Sequence, residues 1–440
     1  MKPHLEVKLK SGVPTPDAPY WEDAIRDKAG TDVPIDRNVA RLIARYALPI
    51  LSTRAYAPSH GGSAWSADEI ASGLNRVYRL VLNEDGEIPP QLVRDISVIP
   101  TIEYVRIGAV GHAELPSPEA AEMSVSTDTR SREAIFLEQA QQYSLGSPSV
   151  VVAVLDTGVW LQHPEFEGRL LPGRDFVDIL DGAGAFLGDF LDADDDPTDA
   201  VGHGTHVTGI IMGRGKDMPR GVVPKCRLLP VRVLGALKQG EKSVGAGLID
   251  NINVGIKWAV DQGARIINMS LGVRHTGGGL PHQDVVDYAR RKGVTIVAAA
   301  GNDGQEALYY PGALPNVIAV GAVDEGGEVA PFSTYGRQVS FVAPGTNIYS
   351  TFLNDSYAYS TGTSHATPFV TGAAALLASF AKEKHGITLS DAQIKHVLKY
   401  TADRVDGQYK HPKAGFGRIN VLDAVKLLEY RLTNRLNKAA

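Results

Sequence analysis

Three segments of the 440-residue chain combine a side chain suited to nucleophilic catalysis with small neighbouring residues. Asp156 ends the apolar run of VVVAVLDTGV, His203 lies between two glycines in GHGTHVTGII, and Ser364 precedes a long apolar stretch in GTSHATPFVTG. A serine hydroxyl is a poor nucleophile unless an imidazole removes its proton, and the imidazole works best when a buried carboxylate fixes its tautomer. These three residues are therefore a candidate set for attack on a carbonyl group.

The three side chains come from distant parts of the chain, so the fold must bring them together. After residue 133 the sequence becomes a series of short runs rich in Val, Ile and Ala, separated by helical stretches: VVVAVL, CRLLPVRVL, ARIINMSL, VTIVAAA, NVIAVGAV and VSFVAP. Continuous apolar strands that alternate with helices predict an α/β domain, with a parallel sheet covered by helices on both faces. Active sites in such domains lie beyond the carboxyl ends of the strands. Asp156 at a strand end and His203 and Ser364 at helix starts fit this arrangement.

Together, DTGV, GHGTHV and GTSHATP strongly resemble the three active-site motifs of the subtilisin-like serine protease family, in the chain order Asp, His, Ser that is known for subtilisin. The resemblance runs from about residue 134 to about residue 428. It implies a serine endopeptidase with Asp156, His203 and Ser364 as its catalytic triad. AAAGND, with Asn302, is similar to the family motif that supplies the side-chain donor of the oxyanion hole. The second donor would be the backbone N–H of Ser364.

The resemblance also implies where a substrate binds. NMSLG looks like the family's substrate-aligning strand, with the AAAG segment opposite, so an extended peptide is expected between the two. These residues are Ser270, Leu271, Gly272, Ala299, Ala300 and Gly301. Tyr309 falls at the base of the pocket for the side chain before the scissile bond, where a glycine is common, and Asp303 falls at its rim. Because Tyr309 shrinks the pocket and Asp303 favours a basic or polar group, we expect small or polar side chains to be preferred. A cleavage profile dominated by Phe or Tyr would contradict this expectation.

The first 133 residues divide into three predicted segments. Residues 75–115 show a strand, helix and strand pattern, and IPTIEYVRIGAVGHAE resembles the last strand and tail of the family's inhibitory propeptide. A small α+β domain that inhibits the enzyme within a zymogen is therefore expected, with its junction near Glu114-Leu115. Residues 116–133 are predicted to be an exposed linker, and residues 134–440 the catalytic domain. Residues 1–74 carry a helical pattern from Asp36 to Tyr46 but have no predicted role.

Composition and charge argue against several other classes of protein. The chain is 43% hydrophobic and 21% charged with a net charge of -6, and it lacks the basic runs of a nucleic-acid-binding protein. Neither an apolar signal region nor a stretch of about 18 apolar residues appears, which predicts a cytoplasmic protein that does not enter a membrane; export by another route stays open. The expected partners are a peptide or protein substrate and the chain's own N-terminal module. Cys226, the single cysteine, lies in an apolar run and is predicted to be a core residue.

No cofactor or metal is expected. His203 and His206 are close in sequence, but the acidic residue of an HExxH zinc motif is missing. His365 stands where the family usually has methionine, so a structural role is expected for it. Family members often carry a calcium loop after the histidine helix, but GRGKDMPRGV offers a single carboxylate among basic side chains. The acidic run Asp192 to Asp196 is kept as a calcium alternative, within a stretch, Asp189 to Asp199, that is expected to be a solvated loop.

Two alternatives to a general endopeptidase remain. A dedicated intracellular processing protease or transpeptidase would mature one partner peptide, and broad cleavage of casein would contradict that function. A silent peptide-binding scaffold would keep the N-terminal module in its cleft permanently. The complete set of Asp156, His203, Ser364 and Asn302 argues against a silent scaffold.

Overall fold

The N-terminal domain is a four-stranded antiparallel sheet packed against helices. The computed structural model describes residues 3–26, 34–82, 86–114, 119–120, 129–177, 186–187, 196–239, 242–275 and 279–439. The strands of this domain are β1 (His4–Leu9), β2 (Ile50–Arg54), β3 (Val77–Leu82) and β4 (Ile102–Ile107), in the order β2-β3-β1-β4. The helices are α1 (Trp21–Arg26), α2 (Arg37–Arg45), α3 (Ala67–Ser72) and α4 (Pro90–Ser97).

The central strand β1 shows that the domain boundary predicted at residue 74 is wrong. β3, α4 and β4 match the strand, helix and strand predicted within residues 75–115. However, β3 and β4 do not pair with each other, because each pairs antiparallel with β1. β1 and β2 both come from residues 1–74, so that segment supplies half of the sheet rather than a separate extension.

The two faces of β1 differ, because successive side chains of a strand point to opposite sides of the sheet. Leu5 and Val7 pack with residues of α2 and α4 in the core of the N-terminal domain. His4, Glu6 and Lys8 lie on the other face, and they are buried as well. A polar strand face that is buried must be covered by another surface, and that surface belongs to the second domain.

The second domain is a parallel α/β sheet with additional short strands. Its strands are β5 (Val110–Glu114), β6 (Glu119–Ala120), β7 (Val151–Asp156), β8 (Arg174–Asp175), β9 (Phe186–Leu187), β10 (Arg227–Arg232), β11 (Gly235–Gln239), β12 (Lys242–Leu248), β13 (Ile266–Met269), β14 (Val273–Arg274), β15 (Thr295–Ala299), β16 (Tyr309–Tyr310), β17 (Val317–Val323), β18 (Val339–Pro344), β19 (Ile348–Thr351) and β20 (Tyr357–Ser360). Its helices are α5 (Arg130–Glu133), α6 (Leu137–Gln141), α7 (His203–Met212), α8 (Ile249–Asp261), α9 (Gln283–Arg291), α10 (Thr363–His385), α11 (Asp391–Thr401) and α12 (Val421–Ala439). The seven-stranded sheet has the order β18-β17-β15-β13-β7-β10-β8, and all of its pairs are parallel.

Helices cover both faces of the parallel sheet, which confirms the predicted α/β fold. Val152 and Val154 of β7 pack in one core with residues of α7 and α10. Val151, Ala153 and Leu155 point to the other face and pack with residues of α8 and α9. The continuous apolar sequence of β7 is explained by these two buried faces.

The sheet of the N-terminal domain lies on α8 and α9. Ala55, Tyr56 and Leu74 share a hydrophobic core with apolar residues of both helices. Cys226, the predicted core cysteine, is buried in the core on the opposite side of the parallel sheet. In the part of the chain that the structure describes, no helix is both long enough and apolar enough to cross a membrane.

Candidate active site

Asp156 and His203 form a buried hydrogen-bonded pair at the carboxyl end of the parallel sheet. Asp156 is the last residue of β7, His203 is the first residue of α7, and the Nδ1 of His203 lies 2.6 Å from the Oδ1 of Asp156. Glycines permit this contact: a Cβ on Gly204 would lie 2.1 Å from the backbone oxygen of Gly158, and Gly158 itself has a φ of +107°. The turn after β7 and the first turn of α7 therefore pack against each other without side chains between them.

The carboxylate of Asp156 favours the charged form of the imidazole. Burial by itself lowers the pKa of His203, but the charge and the hydrogen bond of Asp156 outweigh burial and raise this pKa above its ordinary value of 6.5. A hydrogen bond at Nδ1 also leaves Nε2 as the nitrogen that faces other groups. No described residue provides a hydrogen-bond partner for the Nε2 of His203. The pair is thus arranged to accept a proton at Nε2.

Asp199 ties the loop before α7 to the turn after β7. Its Oδ1 accepts from the hydroxyl of Thr157 at 2.9 Å and from the N–H of Gly202 at 2.9 Å, and its Oδ2 accepts from the hydroxyl of Thr205 at 2.6 Å. Asp199 is buried, so the prediction of a solvated loop is wrong for this last residue of the acidic stretch. The sequence did not distinguish Asp199 from its acidic neighbours, because its only cue was closeness to GHGTH.

Ser364 lies in the first turn of α10 and is held against the end of β13. Its hydroxyl donates to the backbone oxygen of Ser270 at 3.1 Å, and the hydroxyl of Ser270 donates to the backbone oxygen of Ser364 at 2.8 Å. The structure therefore places Ser364 beside the predicted substrate-aligning segment, and its hydroxyl makes no hydrogen bond to the Nε2 of His203. Catalytic hydrogen bonds are often unformed in enzymes without substrate.

Asn302 is oriented by the residue that precedes Ser364. The Oδ1 of Asn302 accepts from the backbone N–H and from the hydroxyl of Thr363, both at 2.8 Å. Because a backbone N–H can only donate, this contact fixes which end of the amide carries the oxygen. The NH₂ group of Asn302 is left to donate elsewhere, next to the N-terminus of α10. Thr363 was not among the predicted site residues.

His206 and His365 pack behind the candidate triad. The ring of His365 lies 5.5 Å from the ring of His203 and 4.5 Å from that of His206, measured between ring centroids. The Nε2–H of His206 donates to the backbone oxygens of Ile348 at 3.0 Å and Ala358 at 3.1 Å. Burial lowers the pKa of His206 to about 3 and the pKa of His365 well below 6.5, so both rings are neutral.

The loop GRGKDMPRGV, compared above with the family's calcium loop, is held here by a side chain. Glu165 is buried, its Oε2 accepts from the N–H of Gly215 at 2.8 Å, and its Oε1 accepts from the N–H groups of Lys216 at 2.8 Å and Asp217 at 2.9 Å. The carboxylate takes the loop's N–H donors, and the residues present do not fit a cation there. Within the described ranges, no group of three or more His, Cys, Asp or Glu residues is arranged to hold a metal ion. Most of the alternative acidic run, Asp192 to Asp196, lies outside the described residues.

The tail of the N-terminal domain joins a sheet at the edge of the candidate site. β5 pairs antiparallel with β12, with Ala113 opposite Gly245 and Gly111 opposite Gly247. A Cβ on Gly111 would lie 2.3 Å from the side chain of Val273, so the tail runs between β12 and the segment that follows Ser270. β12 was not among the predicted substrate-binding residues.

Tyr309 lies between the two predicted walls of the substrate pocket. A Cβ on Gly301 would lie 2.7 Å from the ring of Tyr309, and a Cβ on Gly272 would lie 3.0 Å from its Cβ. The hydroxyl of Tyr309 donates to Asp303 at 3.2 Å and accepts from the Nε of Arg274 at 3.0 Å. Leu271 and Ala300 are buried beside these walls. Arg274 was missed by the sequence analysis, because its place depends on the pairing of β14 with β16.

A parallel α/β domain with Asp, His and Ser at the carboxyl end of its sheet is typical of serine hydrolases. Comparison with known proteins gives the family: residues 147–418 match the model of the subtilase family. The chain belongs to this family and is a subtilisin-like serine endopeptidase, a hydrolase of peptide bonds.

The chain is similar to several characterised proteases and solved structures. It is 39% identical over 293 residues to the thermophilic serine proteinase of Bacillus sp. strain AK1, covering 66% of this chain and 65% of that relative. It is 38% identical over 277 residues to thermitase of Thermoactinomyces vulgaris, covering 62% of this chain and 88% of thermitase. The solved structure of the prenylagaramide maturation protease PagA matches with a TM-score of 0.53 and 32% identity, covering 66% of this chain and 98% of PagA. A Pseudoalteromonas arctica PAMC 21717 protease matches with a TM-score of 0.58 and 30% identity, covering 67% of this chain and 94% of that protease.

Proposed function

We propose that Ser364, His203 and Asp156 perform the peptide hydrolysis. The observation that carries this proposal is the buried hydrogen bond of 2.6 Å between Asp156 and His203, beside the first turn of α10. In the reaction, the hydroxyl of Ser364 turns from the Ser270 carbonyl to His203 and attacks the peptide carbonyl while Nε2 takes its proton. His203 then returns this proton to the leaving amine, and a water molecule releases the acyl group by the same route.

Asn302 and the start of α10 stabilise the oxyanion in this proposal. The NH₂ group of Asn302 and the backbone N–H of Ser364 donate to the developing negative charge. The first N–H groups of a helix lack partners within the helix, and the helix dipole adds favourable potential at this end. The contacts of Thr363 hold the amide of Asn302 in place before the substrate arrives, as electrostatic stabilisation requires.

A fluorophosphonate probe tests these roles, because it labels only a serine that a neighbouring base activates. We expect the wild type to label, Ser364→Ala to lose labelling completely, and His203→Ala and Asp156→Asn to label far more slowly. Ser356→Ala is a matched control, since Ser356 is an exposed serine whose replacement leaves the candidate triad intact. Labelling that persists in Ser364→Ala would show that another nucleophile is used.

We further propose that the chain is made as a self-inhibited zymogen, with residues 3–114 as the inhibitory part. Two contacts support it: β5 extends a sheet beside the site, and the buried face of β1 pairs with helices of the second domain. The Nε2 of His4 lies 2.7 Å from Asp250 of α8, and the Nζ of Lys8 lies 2.7 Å from Asp284 of α9. Buried pairs of this kind fix the relative position of two surfaces, because separating them leaves charges without partners.

The same interface contains a carboxyl group with a strongly shifted pKa. Glu6 is buried between Arg106, whose Nη2 lies 2.6 Å from its Oε1, and Asp250. Burial raises the pKa of Glu6 to about 8; Arg106 opposes this shift and the Asp250 carboxylate adds to it. Removal of the N-terminal domain would expose Glu6 to water and return its pKa to the ordinary range. Release of the inhibitory domain is therefore favoured as the pH rises towards 8.

A second candidate function is processing of one partner peptide. Two observations favour it over broad digestion: Tyr309 occupies the slot between the pocket walls, and a Cβ at position 111 of the tail would lie 2.3 Å from the side chain of Val273, which disfavours larger residues there. The solved relative PagA is named as a maturation protease, and this chain covers 98% of it. Casein digestion separates the two functions, since a dedicated processing protease leaves casein largely intact.

A further inference from the structure

The slot between the pocket walls has no room for a large side chain. The ring of Tyr309 lies within 2.7 Å of a Cβ placed on Gly301, and its Cβ lies 3.0 Å from one placed on Gly272. Both distances are shorter than ordinary contacts between carbon atoms. Selection of the substrate side chain before the scissile bond must therefore depend on the polar groups at the hydroxyl end of this ring.

Asp303 cannot serve as the acceptor for a basic substrate side chain. Its Oδ1 accepts from the hydroxyl of Thr334 at 2.5 Å and from the N–H of Gln305 at 3.2 Å. Its Oδ2 accepts from the Nη2 of Arg274 at 2.6 Å and from the hydroxyl of Tyr309 at 3.2 Å. With four donors on two oxygens, the carboxylate has no strong acceptor site left. Asp303 therefore positions the side chains of Arg274, Tyr309 and Thr334. We no longer expect it to favour a basic substrate side chain.

Arg274 is the group at this site with donors to spare. Its guanidinium lies over the ring of Tyr309, 5.3 Å from the ring centroid, and uses Nε for the Tyr309 hydroxyl and Nη2 for Asp303. The side chain is still 62% exposed, and no hydrogen bond joins its Nη1 to another described residue. A guanidinium held rigidly at one edge presents its remaining N–H groups to a carboxylate.

The described part of the N-terminal domain's tail ends in a glutamate, Glu114. In the pairing of β5 with β12, Glu114 lies opposite Val244, one residue beyond Ala113 and Gly245. The resemblance to the inhibitory propeptide places the junction near Glu114-Leu115. The chain's own tail therefore offers glutamate as the residue before the cut.

We propose that Arg274, positioned by Asp303 and Tyr309, selects an acidic side chain before the scissile bond, so that the enzyme cleaves after glutamate and matures at Glu114. This inference rests on the proposed function, because it needs Ser364 to be the nucleophile. An acidic side chain before the scissile bond thus replaces the earlier expectation of small or generally polar side chains at that position.

Peptides that copy residues 108–118 of this chain test the proposal. Internally quenched versions carry Glu, Gln, Lys or Phe at the position of Glu114, and each is incubated with the full-length wild type, Arg274→Gln and Arg214→Gln. Arg214 is the matched control, since it is a surface arginine whose partner is the exposed Glu167. The same samples are titrated with a fluorophosphonate probe, which has no side chain for this pocket and counts active serines.

We expect kcat/KM for the Glu peptide to exceed that for the Gln peptide by about tenfold or more, with Lys and Phe lower still. Arg274→Gln should remove most of this Glu-to-Gln ratio, which is taken within one variant and so does not depend on how many of its serines maturation has freed; Arg214→Gln should keep the ratio. If Arg274→Gln fails to fold, Arg274→Lys keeps the charge, and a reduced Glu-to-Gln ratio is expected because lysine lacks the rigid fork. Equal cleavage of Glu and Gln peptides, or a preference for Phe, with labelling intact would overturn the acidic preference alone. Absence of labelling in the wild type would overturn the proposed function, and this inference with it.

Discussion

Replacement of His365 by methionine probes a buried histidine that contacts the catalytic one. His365 is 1% exposed, and neither of its ring nitrogens has a hydrogen-bond partner among the described residues. Burial lowers its pKa well below 6.5, and the neighbouring His206 and His203 rings lower it further. Methionine fills a similar volume without polar atoms. His365→Met should therefore stabilise the fold, and the gain should depend on pH.

The size of the effect follows from proton linkage. In the unfolded chain His365 titrates near 6.5, whereas in the folded protein it stays neutral to lower pH. Below pH 6.5 the unfolded state therefore binds more protons, and stability falls by up to about 1.4 kcal/mol for each pH unit. Between about pH 7.5 and about pH 5.5, His365 alone should cost about 1.4 kcal/mol. At neutral pH, removal of unpaired buried nitrogens should add about 1–3 kcal/mol.

Urea unfolding at both pH values measures this difference. All variants carry Ser364→Ala, so that self-digestion does not obscure the transition, and His275→Gln is the control because His275 is exposed. His365→Met should gain stability over its parent at both pH values, by about 1.4 kcal/mol more at the acidic one. A loss of stability in His365→Met at neutral pH, or a pH dependence equal to that of the control, would contradict this prediction.

Three other changes have expected outcomes of different kinds. Asn302→Ala should lower kcat by about 10²–10³, the range established for loss of this donor in subtilisin itself, with little change in KM. Thr363→Val should lower kcat less. An unchanged kcat in both variants would show that Asn302 is not part of the oxyanion hole. Glu165→Gln should lower the free energy of unfolding by about 1.5–3 kcal/mol, while EDTA leaves the wild-type midpoint unchanged; a lower midpoint in EDTA would reveal a bound metal ion. The folded pKa of Glu6 is raised to about 8, so the stability that protonated Glu6 gives the interface is complete below about pH 4.5 and is lost as the pH rises through 8. Hydrogen exchange of β1 in Ser364→Ala should show this loss of stability. Glu6→Gln should make the exchange of β1 less dependent on pH.

The sequence predicted the residues whose local setting is distinctive. Asp156, His203 and Ser364 could be placed because a strand end and two helix starts are readable from apolar runs and glycines. Contacts that depend on pairing between distant segments could not be placed. Arg274 meets Asp303 only because β14 pairs with β16, and nothing local in RHTGGG indicates that pairing.

The error at residue 74 has the same origin. The alternation in HLEVKL is typical of a strand, but the sequence of one strand does not indicate which strands it pairs with. β1 pairs with strands that lie about 70 to 100 residues later in the chain. Alternating polar residues are typical of a solvated strand face. The buried pairs of His4 with Asp250 and of Lys8 with Asp284 show that this face is an interface with the second domain.

The proposed triad and the proposed zymogen can be tested in one experiment: intact-mass spectrometry of the wild type and Ser364→Ala, incubated side by side and then treated with a fluorophosphonate probe. We expect the wild type to lose residues 1–114 and gain the mass of the probe, while Ser364→Ala stays whole and unlabelled. A wild type that labels but stays whole would contradict the zymogen proposal and leave the triad standing. A wild type that neither cleaves itself nor labels would contradict both the triad and the zymogen proposals.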